Sequence, residues 1–204
     1  MTDISDPDRN AQELGAKSFG LKNRLFRILW GVTWFLLASW SQPLHGWRRF
    51  LLRQFGAKVG EGVYVAPSAR IWHPGNLVLE DFAAIADEAD IYNMAPVTIG
   101  KYAVVSKRAH LCAGSHDIND DRFLLIAKPV TLEAYSWVAA EAFVGPGVTV
   151  GEGAVLGARG VTAKDLAPWT VFAGNPARPL KERGRFERND VPQRGWRERL
   201  ETAD

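Results

Sequence analysis

The chain has 204 residues, of which 25 are Lys or Arg, 23 are Asp or Glu and one is Cys, and its formal net charge is +2. This length fits one domain with appendages, and the lone Cys112 excludes both a disulfide framework and a four-cysteine zinc site. The four histidines are scattered rather than grouped at ligand spacing, so no metal is expected.

Residues 1–20 are polar and acidic before they turn weakly basic, and they lack the apolar core of a cleavable signal peptide. We predict a flexible N-terminus over this range. The sequence therefore predicts a cytoplasmic protein.

Residues 21–57 form a basic, tryptophan-rich helical segment, and no acidic residue occurs between Glu13 and Glu61. The run from Leu25 to Ser41 has helical character but is shorter than the roughly 20 residues that a membrane span needs. A second basic amphipathic piece follows from Trp47 to Phe55.

Two compatible interpretations of residues 21–57 stay open. In one, the helices cap the end of the repeat that follows, since repeat folds require terminal caps. In the other, the segment contacts the inner face of the cell membrane peripherally, with Trp at headgroup level and basic side chains against anionic lipid. Nucleic acid binding is not expected, because the aromatic residues are interleaved with aliphatic ones in a packing pattern.

Residues 58–176 repeat an aliphatic residue at every sixth position, as in VGEGVY from Val59 and VGEGAV from Val150. Neither a helix nor an alternating strand has this period. A hexad can bury its aliphatic residue only by stacking on other hexads, three to a turn of about 18 residues, which predicts an all-β parallel solenoid. The fourteen hexads amount to between four and five turns.

The repeat is interrupted three times. Two-residue slips after Phe82 and Pro96 are predicted to be corner insertions, whereas residues 117–131 are too many for a corner and predict an excursion loop. This loop directly follows His116, at an edge of the solenoid. Imidazole accepts a proton near neutral pH, so His116 is the histidine with a chemical role, and His45, His73 and His110 are predicted to be structural.

Four stretches carry a resemblance to a known family: APVTIG from Ala95, LCAGSHD from Leu111, VGPGVTVGEGAVLGARGV from Val144 and WTVFAGNPARPLKER from Trp169. With these stretches the chain resembles hexapeptide-repeat acyltransferases, especially the O-acetyltransferases of colanic-acid and exopolysaccharide biosynthesis. The resemblance implies a left-handed β-helix, an acetyl-CoA acyl donor and a sugar hydroxyl as acceptor. It also implies a homotrimer with active sites between subunits.

The resemblance further implies that His116 is the general base for direct attack of the sugar hydroxyl on the thioester. No acyl-enzyme is needed, so Ser115 is predicted to be a corner residue. Backbone N–H donors for the oxyanion are implied near Ala139 and Ala140. The implied coenzyme A contacts are Trp137, Ala140, Ala158, Ala163, Lys164, Arg178 and Lys181.

Two features of this cofactor set follow from chemistry. Lys164, Arg178 and Lys181 are the cationic groups that a phosphorylated nucleotide needs. Trp137 is either a wall of the pantetheine groove or an exterior corner aromatic. The galactoside and maltose members of the family carry Thr-Lys where this chain has Ala163-Lys164, so one hydroxyl contact is lost.

The acceptor side matches the family less well, because those same members use Asn where this chain has Ala86. The nearest polar candidates are Asp87, Asn93 and the loop 117–128. Asp117 is predicted either to orient the imidazole or to touch the acceptor. These differences favour a glycan other than a simple galactoside, and a lipid-linked oligosaccharide would suit a membrane-facing N-terminus.

Three alternatives stay open: N-acylation of an amino sugar or transfer of another acyl group, a non-catalytic scaffold, and a carbonic-anhydrase-like zinc site built from His73, His110 and His116 across subunits. The C-terminal extension, residues 177–204, has mixed charge and no readable function.

Overall fold

A computed structural model describes residues 20–185. Most of the predicted flexible N-terminus and the extension from residue 186 onward lie outside the described residues. The described chain is a parallel β-solenoid with two helices before it, α1 (Leu21–Leu37) and α2 (His45–Gln54), which confirms the fold predicted from the hexads.

The solenoid has three faces, each a parallel sheet. Face A contains β1 (Lys58–Val59), β4 (Leu77–Leu79), β7 (Val97–Ile99), β12 (Val130–Leu132) and β15 (Thr149–Val150). Face B contains β2 (Tyr64–Val65), β5 (Ala84–Ile85), β8 (Val104–Val105), β13 (Trp137–Val138), β16 (Val155–Leu156), β18 (Thr170–Ala173) and the antiparallel β19 (Arg178–Glu182). Face C contains β3 (Arg70–Ile71), β6 (Asp90–Tyr92), β9 (His110–Cys112), β14 (Phe143–Val144) and β17 (Val161–Thr162).

The aliphatic residue of each hexad points into the interior, where Ile85, Ile99, Leu111, Leu132 and Leu156 are completely buried. The solenoid is longer than the predicted four to five turns. Leu166 pairs with Val150 on face A, and β18 pairs with β16 on face B, so a sixth turn begins after β17. The prediction fell short because Thr162 takes the sixth position after Leu156 and Leu166 follows only four residues later, which interrupts the aliphatic repeat.

Two corners carry a column of residues that adopt positive φ, aromatic at one corner and charged at the other. At the corner between faces A and B, the rings lie one above another in the order Phe82, Tyr102, Tyr135 and Trp169. The ring centroids of Phe82 and Tyr102 are 4.9 Å apart. Their side chains point along the axis and stack between turns. Each of these residues has a backbone conformation that costs free energy, and the ring contacts offset part of that cost.

The corner between faces B and C carries the charged column Glu88, Arg108, Glu141 and Arg159, also at positive φ. Glu88 and Arg108 form an ion pair at 2.8 Å, and Arg159 and Glu141 form one at 2.6 Å. The hydrogen bond from Arg108 lowers the pKa of the Glu88 carboxyl, and the bond from Arg159 lowers that of Glu141. The pairs are exposed to solvent, so each contributes little to the free energy of folding.

The hydrogen bonds between turns run in both directions. Tyr64 N donates to Ala83 O in the next turn at 2.9 Å, and Phe82 N donates back to Glu61 O at 2.8 Å. In a parallel sheet the residues of a strand face its two neighbours alternately, so the carbonyl oxygens of the first turn that face away from the second turn have no solenoid partner. Buried carbonyl groups need a donor, so this end must be capped.

The two helices supply those donors from side chains. Three arginines of α2 donate to carbonyl oxygens of the first two sides of the turn: Arg53 to Val59 O at 2.7 Å, Arg49 to Val63 O at 3.0 Å and Arg48 to Val65 O at 2.7 Å. Two indoles of α1 donate to carbonyl oxygens of the rest of the turn: Trp34 to Pro67 O at 3.1 Å and Trp30 to Ile71 O at 2.7 Å. The predicted capping role of these helices is confirmed.

Arg48 is the centre of this cap and is completely buried. Besides Val65 O, its guanidinium contacts Ser41 O, Ser41 Oγ at 3.1 Å, Gln42 O at 3.3 Å and His45 Nδ1 at 2.6 Å. Burial lowers the pKa of Arg48, and burial together with the nearby Arg48 charge lowers the pKa of His45. His45 is therefore a structural partner of Arg48, as its predicted role requires.

Within residues 20–185, neither helix combines the length and the apolar content that crossing a bilayer demands.

The C-terminal end differs from the predicted boundary at residues 176 and 177. The chain turns back after β18, and β19 pairs with it in antiparallel fashion. Residues 178–182 therefore extend face B instead of leaving the solenoid, because β18 still offers an open edge.

Candidate functional site

A β-hairpin leaves the solenoid at the corner between faces C and A. Its strands are β10 (Gly114–His116) and β11 (Leu125–Ala127), with His116 opposite Leu125. The excursion thus begins at Gly114, three residues before the predicted 117, and ends before β12 instead of at residue 131. The boundary moves because Gly114–His116 pairs with β11 and not with a neighbouring turn.

The His116 imidazole is exposed, and one of its nitrogens is held by the hairpin. Nδ1 lies 2.5 Å from the carbonyl oxygen of Phe123. A carbonyl only accepts hydrogen bonds, so Nδ1 carries a proton in this contact, and in the neutral ring Nε2 keeps a lone pair. This tautomer and orientation are what a general base at Nε2 requires.

Phe123 holds its carbonyl at this position from the turn of the hairpin, with φ at 48°. Nothing in the sequence marks Phe123, because every residue has a carbonyl group and only the folded hairpin decides which one meets the imidazole. The Asp117 carboxylate instead accepts the N–H of Asn119 at 2.9 Å. Of the two roles predicted for Asp117, orienting the ring belongs to the Phe123 carbonyl, and contact with an acceptor stays a prediction.

A strip of small residues runs along the corner between faces B and C. The register of β13 and β16 places Ala140 directly beside Ala158, one turn apart, and both are exposed. Trp137 lies at the edge of this strip, with 43% of its surface exposed and its Nε1 donating to Ser106 Oγ at 2.8 Å. The small side chains leave the backbone of this strip accessible, and the hydrogen bond to Ser106 fixes the indole on face B.

The predicted oxyanion donors lie in the same strip. Ala139 N–H already donates to Leu156 O at 2.9 Å. That bond belongs to the ladder between turns, so of the predicted pair only Ala140 is suited to donate to a reacting oxygen.

The predicted cations occupy two places. Arg178 and Lys181 lie exposed on β19, three strands from β13 on face B, which is about 14 Å at ordinary strand spacing. Ala163 and Lys164 lie exposed at the corner between faces C and A, after β17. There the buried Thr162 hydroxyl donates to Lys164 O at 2.6 Å and fixes the backbone of that turn.

The two residues predicted to contact the acceptor sugar, Asp87 and Asn93, differ in how accessible they are. Asp87 is half-buried on the corner between faces B and C, in the column that continues to Ala140, and it accepts the Ser68 hydroxyl at 2.8 Å. Asn93 is completely buried, and its amide bonds both His73 N and His73 O, at 2.9 and 2.8 Å. The prediction that Asn93 contacts substrate is therefore corrected, because its polar groups are already bonded inside the corner.

The remaining histidines lie apart from His116 within one chain. His73 stacks on Phe26 at 4.7 Å, and burial lowers its pKa. His110 packs on face C against Phe143 at 5.2 Å. Among residues 20–185, no three His, Cys, Asp or Glu side chains converge where they could hold a metal ion.

The folded chain thus carries its candidate groups at two separate corners. His116 and Lys164 lie at the corner between faces C and A, whereas Trp137, Ala140 and Ala158 lie on face B and the corner that follows it. A groove of about 430 Å³ between α1 and the first turn, lined by Trp34, Arg70 and Trp72 among others, is at neither place. One chain alone does not bring the imidazole to the small-residue strip.

No family model matches the chain. It is 40% identical to the putative colanic acid biosynthesis acetyltransferase WcaF of Escherichia coli over 168 residues, which cover 82% of this chain and 92% of that protein. It is also 26% identical to the galactoside O-acetyltransferase of E. coli over 66% of this chain and 68% of that protein.

Solved structures of low identity share the fold. A hexapeptide-repeat-containing acetyltransferase from Vibrio cholerae, crystallised with acetyl coenzyme A, superposes with a TM-score of 0.73 at 24% identity, over 84% of this chain and 92% of that one. A maltose O-acetyltransferase from Clostridium difficile superposes with a TM-score of 0.75 at 22% identity, over 86% and 97% of the two chains.

Proposed function

We propose a function for this chain from the family to which it belongs, the hexapeptide-repeat acetyltransferases of the colanic acid biosynthesis type: it transfers the acetyl group of acetyl-CoA to a sugar hydroxyl. The sugar belongs to an exopolysaccharide or to its lipid-linked precursor. The observation that carries the proposal is the contact between His116 Nδ1 and Phe123 O, because it prepares Nε2 to accept a proton.

The reaction needs no covalent enzyme intermediate. His116 Nε2 accepts the proton of the sugar hydroxyl as the hydroxyl oxygen attacks the thioester carbonyl. The tetrahedral oxyanion accepts a hydrogen bond from Ala140 N–H. The carbon–sulfur bond then breaks, and the imidazolium returns the proton to the departing thiolate, which leaves an acetylated sugar and free coenzyme A.

The described residues fit acetyl-CoA as the donor. The strip at Ala140 and Ala158 admits an extended pantetheine arm beside the Trp137 indole, and Arg178 and Lys181 on the same face are placed to meet phosphate groups. Trp137 and β19 are three strand spacings apart, and such an arm can cover this span. Ala163 and Lys164 would then be contributed from another subunit, since they lie at the other corner.

A second copy of the chain completes the site in this proposal. The hairpin of one subunit would place His116 against the small-residue strip of its neighbour, in a homotrimer with three such interfaces. This arrangement explains why the groups needed for one reaction lie at two corners of the same solenoid.

The direct test is incubation of the purified protein with acetyl-CoA and candidate glycans. We expect release of free thiol that depends on the glycan, together with a mass increase of one acetyl group on the glycan. An ester that is cleaved by mild base identifies O-acetylation, and a base-stable amide would contradict it in favour of an amino sugar. Thiol release with no change in any glycan would contradict the acceptor class.

The shared site makes a further prediction for mixed trimers. His116→Ala and Ala140→Glu should each reduce transfer to a small fraction of the wild-type rate, the second because a carboxylate would stand where the anionic cofactor passes. Unfolding and refolding the two variants together should restore about a quarter of the wild-type activity, since one interface in four then joins an intact hairpin to an intact strip. The specific activity is measured against each variant refolded alone, and a mixture as inactive as its components would contradict a site between subunits.

A further inference from the structure

The outward side of α1 is a continuous apolar stripe. Positions three and four apart lie on one side of a helix, and the side that bears Trp30 and Trp34 is fixed to the solenoid. The opposite side carries seven apolar residues that are each more than half exposed: Leu21, Leu25, Ile28, Leu29, Val32, Phe35 and Leu36. Soluble surfaces rarely present an apolar patch of this extent without a partner.

The surroundings of the stripe are basic and rich in tryptophan. Lys22 and Arg24 are exposed and occupy helical positions on either side of the stripe at its N-terminal end. Beyond its C-terminal end lie the exposed Trp40 and Trp47, whose Nε1 atoms donate to Leu36 O and Leu37 O. From Gly20 to Gly60 the chain has seven basic residues and no acidic one.

We propose that this stripe docks on the surface of an anionic lipid bilayer. The helix would lie in the interface with its apolar side among the acyl chains, its basic residues at the phosphates and its tryptophans at headgroup depth. Charge favours a bilayer over a second copy of the chain. Two copies joined through their stripes would bring two basic rims together without an acidic residue between Gly20 and Gly60 to compensate them.

The docked surface lies close to the hairpin. Phe26 of α1 stacks on His73, and the register of face C places His73 two turns below Ala113, where the hairpin begins. Two turns correspond to about 10 Å along the axis. If the proposed acetyl transfer is correct, a sugar carried on a membrane lipid would be held within reach of His116.

Sedimentation with vesicles tests the docking without using the reaction. We expect the wild-type protein to sediment with vesicles of phosphatidylglycerol and phosphatidylcholine, and much less with phosphatidylcholine alone. Ile28→Gln with Phe35→Gln should weaken the partition into anionic vesicles by at least about tenfold, because two apolar side chains no longer leave water. The matched control is Ile118→Gln with Leu180→Gln, which changes two comparably exposed apolar residues outside α1 and should bind as the wild type does.

Two outcomes would overturn the docking proposal. Equal binding by both double variants would mean that the stripe is not the contact. A change in sedimentation coefficient of Ile28→Gln with Phe35→Gln in the absence of lipid would assign the stripe to contacts between subunits. Acetyl transfer to a water-soluble glycan is measured in parallel. Absence of transfer by the wild type and by both variants would count against the proposed function, and it would leave the lipid result intact.

Discussion

His116→Ala is expected to lower kcat for acetyl transfer by about 10²- to 10⁴-fold, the usual contribution of a general base. The sugar hydroxyl keeps its proton during attack when no base is present, so the loss falls on kcat. The KM for acetyl-CoA should change little, because the imidazole is not proposed to bind the cofactor. Initial rates are followed by thiol release over a range of both substrates.

Ser115→Ala is the matched control for His116→Ala. Ser115 precedes His116 on β10, is exposed like it, and would be the nucleophile if the reaction used an acyl-enzyme. We expect near wild-type rates and an unchanged thermal midpoint for Ser115→Ala. Inactivity of this variant together with an acetylated wild-type enzyme would replace direct attack with a two-step mechanism, and full activity of His116→Ala would remove the general base.

Arg48→Ala is expected to lower the free energy of unfolding by about 3–5 kcal/mol, as when one partner of a buried charged network is removed. Arg48 is completely buried, and it donates to Val65 O and contacts oxygen atoms of Ser41 and Gln42. In the variant these oxygens lose their donor and stay away from water, which is costlier than the absence of the bonds alone. Urea unfolding followed by circular dichroism measures the change.

Arg53→Ala separates burial from hydrogen bonding. Arg53 belongs to the same helix and donates to Val59 O and Gly60 O, but it is exposed, so water can replace it. We expect a loss of only about 1 kcal/mol. Similar losses for Arg48→Ala and Arg53→Ala would show that burial of the guanidinium does not set the stability of this cap.

The solenoid could be predicted because its repeat is a packing rule that each residue obeys locally. The aliphatic residue of every hexad from Val65 to Leu156 is buried, and Val59 at the start of the repeat is partly buried. The last turn was missed because Thr162 takes the sixth position after Leu156 and Leu166 follows only four residues later, although Phe172 again lies six residues after Leu166. The capping arginines were predicted only as a basic helix, since their partners are the carbonyl oxygens that face away from the second turn, and only the folded first turn defines which ones these are.

The sequence predicted only the parts of the candidate site that have a distinctive side chain. His116 stands out because it adjoins the break in the repeat, whereas its partner is a backbone carbonyl at Phe123 and has no sequence signature. Asn93 was misread for a related reason. It is polar and lies at a corner near the hairpin, but its amide completes the hydrogen bonds of His73 in the turn before it.

The repeated pattern of hydrogen bonds between turns makes the solenoid modular. Each complete turn exchanges hydrogen bonds in both directions with the turns on either side of it, so a whole turn inserted in the middle would leave the chemistry of both ends as it is. The first turn has no such freedom, because Trp30, Trp34 and the three arginines fit its carbonyl oxygens one by one. Length can therefore vary at the centre of this architecture, while its N-terminal segment and first turn must change together.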